Sequence, residues 1–377
     1  MNYPDGSMFT GRFINTKGKT NGTNLNYDVT NVVKINNFNH MKTKIIKIVL
    51  LSLFLAAGSI LSAQEIVKIG IIGLDTSHSI AFTKFLNSEG PKEKYKKYQI
   101  VAAYPHGSRT IKSSYDRIPG YIEQVEALGV EVVSSIEELL KKVDCVMLET
   151  NDGNMHLEQA NEVFKSGKRM FIDKPLGASL AQSLAIFELS KKYNMPIFSA
   201  SSLRFVEQTL KLRNGEFGKI YGVDCYSPHK PEPTHPDFGW YGIHGVEMLF
   251  TVMGTGCVSV NRMAADSTDV VVGKWDDGRI GTFRAIQQGR SIYGGTAITE
   301  KGAVPVGSYE GYGGLLDEIL NYFDTGISPI PDNETIEIFT FMEASNQSMK
   351  KGGKIISMEE TYKKGLKDAR KLIKKLK

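Results

Sequence analysis

Ile66-Val67-Lys68-Ile69-Gly70-Ile71-Ile72-Gly73-Leu74-Asp75-Thr76-Ser77-His78 decides the fold. The apolar run over 66–72 reads as a strand buried on both faces, which is the mark of a parallel sheet covered by helices. It breaks at Gly73 into a polar turn, and an amphipathic segment over 77–86 then reads as a helix. A strand, a glycine turn and a helix N-terminus together form a place where backbone N–H groups receive an anion. A dinucleotide fingerprint here requires glycines at 73, 75 and 78, and only Gly73 is present. Asp75 puts a carboxyl group where the second glycine lets backbone approach a pyrophosphate. Gly73, Asp75, Thr76, Ser77 and His78 are therefore the first candidate cofactor-binding residues; alternatively, the 75–78 run holds a substrate hydroxyl or carboxylate, or caps the helix.

Working outward, strand and helix alternate. Strands are expected over 98–103, 143–149, 169–172 and 197–200, and helices over 122–128, 136–142, 155–166 and 180–193. Ser135 and Glu138 form a capping box, and Ser179 with Gln182 gives the same signal. This order predicts an α/β, doubly wound parallel sheet over 64–203, with ligands at the carboxyl ends of the strands. Beyond it, strands over 220–226, 257–263, 270–274, 280–286 and 291–298 and helices over 246–253, 315–323 and 336–348 predict an α+β domain over 204–357 with a largely antiparallel sheet. Asp276-Asp277-Gly278 marks a hairpin turn. The proline-rich stretch 228–239 is a loop. Residues 358–377 read as a basic amphipathic helix whose apolar face (Tyr362, Leu366, Ala369, Ile373, Leu376) packs on the body; a membrane-surface role is the alternative.

The chain has 377 residues and a net charge of +5. Seven of its 46 basic residues and two of its 41 acids fall within 1–63, so the remainder is neutral and gives no electrostatic footprint for nucleic acid. Within that leader, Met41-Lys42-Thr43-Lys44 precedes an apolar core of about ten residues and a cleavage point after Ala63. We expect 41–63 to be a cleaved signal peptide and the protein to be periplasmic or secreted, with no membrane span after cleavage. Residues 1–40 are expected to be disordered or an untranslated upstream extension. Among three cysteines no metal spacing occurs; buried free thiols and a Cys225–Cys257 disulfide both remain open.

Several motifs in order resemble the Gfo/Idh/MocA family, named after glucose–fructose oxidoreductase and inositol dehydrogenase. Asn151 and His156 follow the fourth strand as in that family. Phe171-Ile172-Asp173-Lys174-Pro175 is similar to its Glu-Lys-Pro motif with Asp for Glu, Arg204 closes the sixth strand, and Gly215-Glu216-Phe217-Gly218 resembles the lead-in to its second domain. Gly242-Ile243-His244 with Glu247 is similar to its histidine motif, and Gly326–Pro329, Ala344–Ser348 and Gly352-Gly353 match its ending. The resemblance covers residues 66–357 and implies a Rossmann-like nucleotide-binding domain, NAD or NADP as cofactor, and hydride transfer with a sugar, cyclitol or related polyol. It implies catalytic roles for Lys174 and His244. The lysine stabilises alkoxide charge and the histidine takes the hydroxyl proton. Cofactor contacts extend to Ser108, Arg109, Asn151, His156 and Asp173 with Lys174. Substrate contacts extend to Lys174, Arg204, Asp237, Tyr241 and His244. It also implies a homo-oligomer paired through the second domain's sheet.

Three departures shape the alternatives. Trp240 stands where the family has an aspartate four residues before the histidine, leaving Asp237 as a substitute partner. The second strand ends at Ala102-Ala103-Tyr104-Pro105 without an acid for a ribose hydroxyl, and Ser108-Arg109 suits a 2′-phosphate. An exported, unfolded chain also cannot carry a nucleotide with it. A cofactor-independent lyase or hydrolase acting on oxidised carbohydrate, and a non-catalytic carbohydrate-binding protein, therefore stand beside the oxidoreductase reading. His229, His235, Asp237 and His244 match no zinc spacing, and no metal is expected.

Overall fold

The structure, a computed structural model, describes residues 65–88 and 92–376; the expected signal peptide and the segment before it lie outside the described residues. Strands β1 (Val67–Ile72), β2 (Tyr98–Tyr104), β3 (Glu131–Val132), β4 (Cys145–Leu148), β5 (Arg169–Ile172) and β6 (Ile197–Phe198) form one parallel sheet in the order β3-β2-β1-β4-β5-β6. The order reverses at β1, which pairs with β2 on one side and β4 on the other. At that reversal the connections leave to opposite faces and open a crevice at the strands' carboxyl ends.

Helices α1 (Ser77–Asn87), α2 (Lys112–Tyr115), α3 (Ile118–Glu126), α4 (Ile136–Leu140), α5 (Gly153–Ser166) and α6 (Leu180–Tyr193) cover this sheet. The expected caps form: Ser135 Oγ accepts Glu138 N–H at 3.1 Å, and Ser179 Oγ accepts Gln182 N–H at 3.3 Å. Glu138 reaches back to the N–H of Ser134 rather than that of Ser135.

A second sheet follows α7 (Glu207–Arg213). Its strands are β7 (Ile220–Pro228), β8 (Cys257–Met263), β9 (Thr268–Trp275), β10 (Ile280–Ile286), β11 (Gly294–Thr299), β12 (Gly302–Val306) and β13 (Ile356–Ser357), ordered β12-β11-β7-β10-β9-β8-β13. Every pairing is antiparallel except β7 with β10. Helices α8 (Ile243–Met253) and α10 (Asp332–Lys350) pack on its inner face, where Phe250 meets Phe341 and the buried Trp275. Cys225 and Cys257 stand on strands that are not neighbours, and all three cysteines are free and buried.

Two later helices return to the first sheet. Leu315, Leu316 and Ile319 of α9 (Gly313–Thr325) join the core beneath β1 and β4, and α11 (Met358–Ile373) lies along α6. Ala369 is buried there, and Tyr362, Leu366, Ile373 and Leu376 pack against the core, so the apolar face of the basic helix rests on the body. No helix among the described residues is long and apolar enough to cross a membrane.

Candidate active site

The turn after β1 is locked to its neighbours. Gly73 has φ +95, and a Cβ there would lie 2.6 Å from the backbone of Thr150, so the close approach of β1 and β4 loops excludes a side chain. Its N–H donates to Tyr104 O at 2.8 Å. Thr76 caps α1, accepting the N–H of His78 at 3.4 Å.

Asp75 faces inward and ties three loops together. Its Oδ2 accepts the Ser108 N–H at 2.8 Å and its Oδ1 the Asn151 N–H at 3.0 Å. The Ser108 hydroxyl donates to Asp152 Oδ2 at 3.0 Å, and the Asn151 amide donates to Ser114 Oγ at 2.9 Å. The loops after β2 and β4 are thus joined across the crevice. Gly107 makes this possible, because a Cβ there would fall 2.2 Å from the Asp75 carboxylate. Burial pushes the Asp75 carboxyl up to about 6 against the opposing pull of its two backbone donors.

Between the domains lies a cavity of about 350 Å³, with Thr76, Ser77 and His78 of the α1 N-terminus on one wall and Asn151 and Lys174 at the strand ends. Arg117 and Ser113 also border it. Much of the remaining lining is aromatic: Trp240, Tyr241, Tyr293, Tyr309 and Tyr312. Tyr309 and Tyr312 meet edge-on at 5.6 Å, and Tyr293 stands edge-on to His244 at 5.8 Å. His244 lines the cavity with its Nδ1 2.7 Å from Ser201 Oγ, which leaves Nε2 for a ligand. Desolvation, reinforced by the Lys174 ammonium, holds His244 well below the ordinary histidine range, so the ring is neutral at pH 7. Lys174 is placed by β5 and followed by Pro175 through a cis peptide.

Under this cavity three buried groups converge: His78, Glu149 and Asp173. His78 Nδ1 pairs with Asp173 Oδ2 at 2.9 Å, and both Glu149 oxygens have no partner. Burial, then the neighbouring Asp173 charge, pushes the Glu149 carboxyl well above its usual range.

Other expected site residues take different places. Arg204 is 2% exposed and does not reach the cavity. Its Nε donates to Glu247 Oε1 at 2.8 Å and its Nη1 to Glu334, because a guanidinium this deep requires carboxylate partners. Glu247 in turn accepts the Ser201 N–H at 2.7 Å, so Arg204 braces the loop that holds His244. Asp237 pairs with Arg262 and lies 3.5 Å from His229 Nε2, outside the main cavity; Ser201 is the partner of His244 in its stead. His156 is wholly buried, its ring nitrogens against Thr150 O at 2.6 Å and Leu176 O at 3.2 Å, and serves as a strut between loops rather than a cofactor contact. His235 Nε2 accepts the Gly153 N–H at 3.1 Å, and His229, His235 and Asp237 border a cavity that His244 does not line. Tyr241 does line the cavity. Ser108 and the exposed Arg109 border a second cavity of about 300 Å³ on the far side of the Asp75 bridge.

The family model described as "Oxidoreductase family, NAD-binding Rossmann fold", Gfo/Idh/MocA, matches residues 67–200. Among curated proteins the chain is similar to an uncharacterized oxidoreductase, YhhX, of Escherichia coli K12, at 24% identity over 138 residues. That alignment covers 33% of this chain and 40% of the relative, well short of its full length. Two solved structures share the fold of both domains. A probable dehydrogenase from Thermotoga maritima superposes with a TM-score of 0.64 at 20% identity, covering 78% of this chain and 100% of that one. A myo-inositol dehydrogenase from Lactobacillus casei, in complex with NAD(H) and myo-inositol, gives 0.62 at 13% identity over 78% of this chain and 96% of that one. These superpositions span both sheets, and the cavity lies where the two domains meet.

Proposed function

We propose that the protein is an NAD(P)-dependent oxidoreductase that transfers hydride between the nicotinamide and a hydroxyl-bearing carbon of a sugar, cyclitol or related polyol. The observation that carries this reading is the convergence of Lys174 and a neutral, half-buried His244 in one cavity lined by aromatic rings. The family match of residues 67–200 supports the cofactor, and the Lactobacillus casei structure supports the substrate class.

The residues present fit a nicotinamide dinucleotide at both ends. Gly73 keeps the tight turn, the α1 N-terminus opens on the main cavity, and Arg109 borders the second one, where a 2′-phosphate would find a cation. Asn151, Ser77 and Lys174 would hold the nicotinamide side, and Ser108 and Arg109 the adenosine side. Asp75 sets the condition between them: as a carboxylate it repels a pyrophosphate, and as the neutral acid it does not. The bound nicotinamide supplies the hydride acceptor or donor. The remaining work belongs to the chain's own groups. In the tautomer that serves as base, His244 Nδ1–H donates to Ser201 Oγ, and Nε2 accepts the proton of the reacting hydroxyl. Lys174 stabilises the charge that develops on that oxygen. The aromatic wall receives the apolar faces of a ring and keeps water from the reacting carbon.

A second reading rests on the Asp75 bridge. If that bridge stays closed, the main cavity works alone and the protein is a carbohydrate lyase or hydrolase without nucleotide. One experiment separates them. NAD and NADP are supplied with a panel of cyclitols and sugars, with wild type, Lys174→Met and His244→Gln compared. Reduced-nicotinamide absorbance that disappears in both variants supports the oxidoreductase. Conversion of an oxidised sugar to an unsaturated product without nucleotide favours the lyase.

Two further expectations join this proposal. The leader supports export to the periplasm or beyond. The exposed Tyr221, Ile280 and Ile298 lie on strands β7, β10 and β11 of the second sheet, whose other face is the core; this supports a homo-oligomer paired through that sheet.

A further inference from the structure

We infer that His78, Glu149 and Asp173 form a binding site for one divalent transition-metal ion beneath the main cavity. No spacing in the sequence marks these residues, because they come from three elements: the first turn of α1, the end of β4 and the end of β5. The fold brings one imidazole nitrogen and two carboxylate oxygens within 4.8 Å of one another.

The arrangement is hard to account for without a cation. Buried carboxylate oxygens are almost always hydrogen-bonded, since leaving one unpaired costs about 1–3 kcal/mol or more. Here Glu149 is 0% exposed, and neither of its oxygens has a partner. Asp173 Oδ2 has only His78 Nδ1 beside it, at 2.9 Å. Two orphaned carboxylate oxygens therefore face one ion pair in this cluster. Two ligand atoms each about 2.0–2.2 Å from one ion, at a right angle to each other, would be roughly 3 Å apart, which is the spacing of His78 Nδ1 and Asp173 Oδ2.

The donor set selects the ion. One imidazole with two carboxylates suits Zn²⁺, Mn²⁺ or Fe²⁺ and lacks the thiolates that would favour softer metals. Two carboxylates also match a 2+ charge, so the pocket would hold a neutral assembly. The outer contacts are those expected of ligands fixed in place: Asp173 Oδ1 accepts the Lys174 N–H at 2.8 Å, and the His78 ring packs edge-on against Tyr312 at 4.5 Å. His78 also lines the main cavity, so the site adjoins it. The site goes beyond the oxidoreductase reading and does not depend on it. Loss of nucleotide binding would leave it standing, and absence of metal would leave the Lys174–His244 reading standing.

The test uses the full chain, purified without an affinity tag or chelator. Elemental analysis is expected to find close to one equivalent of divalent metal per chain. After chelation, calorimetric titration with zinc and with manganese should show one site, weakened about 10–100-fold or more in Glu149→Gln and in His78→Gln. Less than about a tenth of an equivalent, together with no binding at millimolar zinc or manganese, overturns the inference; so does affinity unchanged in both variants. If a variant fails to fold, the wild-type chain is loaded with cobalt(II). Visible absorption of nitrogen- and oxygen-ligated cobalt supports the site, and the spectrum of free aqueous cobalt alone overturns it.

Discussion

Asp75→Asn gives the sharpest test of the local physics, because two opposing effects can be sized from the structure. The folded state holds the Asp75 carboxyl at about 6 against an ordinary 3.8. A raised acid binds more protons folded than unfolded between those values, so its contribution to stability falls as pH rises from about 4 to about 6. The difference of roughly two pKa units corresponds to about 3 kcal/mol. Asparagine removes this titration at a steric cost near zero. It has one carbonyl oxygen for two backbone donors, so either the Ser108 or the Asn151 N–H loses its acceptor, at about 1–3 kcal/mol. The variant should therefore be less stable than wild type at pH 4 by about 1–3 kcal/mol. At pH 8 it should equal or exceed wild type. Urea unfolding of both proteins at a series of pH values measures the difference directly. A difference that stays constant from pH 4 to pH 8 would refute the claim that burial dominates at Asp75.

Three other outcomes follow from named contacts. His244 is held well below the ordinary histidine range by burial, so wild-type turnover should stay level as pH falls through about 6.5, and His244→Gln should lower kcat by about 10²–10⁴. The same shift makes stability decline once pH drops below about 6.5, which a pH series of melting curves on wild type and variant resolves. Arg204→Met leaves Glu247 and part of Glu334 buried and uncompensated; chemical denaturation should show a loss of about 3–5 kcal/mol, with reduced kcat because Glu247 also holds the Ser201 loop. Gly365→Val places a branched side chain where even a Cβ would lie 2.6 Å from Leu180, so α11 should lift from α6 at a cost of about 1–3 kcal/mol, read as protease cleavage near the C-terminus.

Apolar periodicity carried most of the fold. The strands at 169–172, 257–263 and 280–286 form with the expected bounds, because a short apolar run between turn residues has few other ways to bury itself. The two-residue β3 and β13 are too short to leave such a signature. In the site, the motif lysine and histidine do line one cavity, since strand ends fix where those backbone positions go. Arg204 and His156 occupy motif positions too, yet their side chains turn inward. Arg204 is committed by Glu247 and Glu334, 43 and 130 residues away, and no local pattern reports such partners. Ser201 and the tyrosines at 293, 309 and 312 were equally invisible, being brought in by loops from distant segments. Glu149 did leave a trace: an acid closing an otherwise apolar strand, where the strand pattern alone offers no reason for a charge.

The most direct measurement of the central claim is nucleotide binding by the full chain. Purified protein is denatured and assayed by mass for nicotinamide dinucleotide, and native protein is titrated calorimetrically with NAD and NADP above and below pH 6. The oxidoreductase account predicts one dinucleotide site per chain that tightens as Asp75 takes up its proton. No released nucleotide, and no binding at millimolar NAD or NADP at either pH, would contradict it.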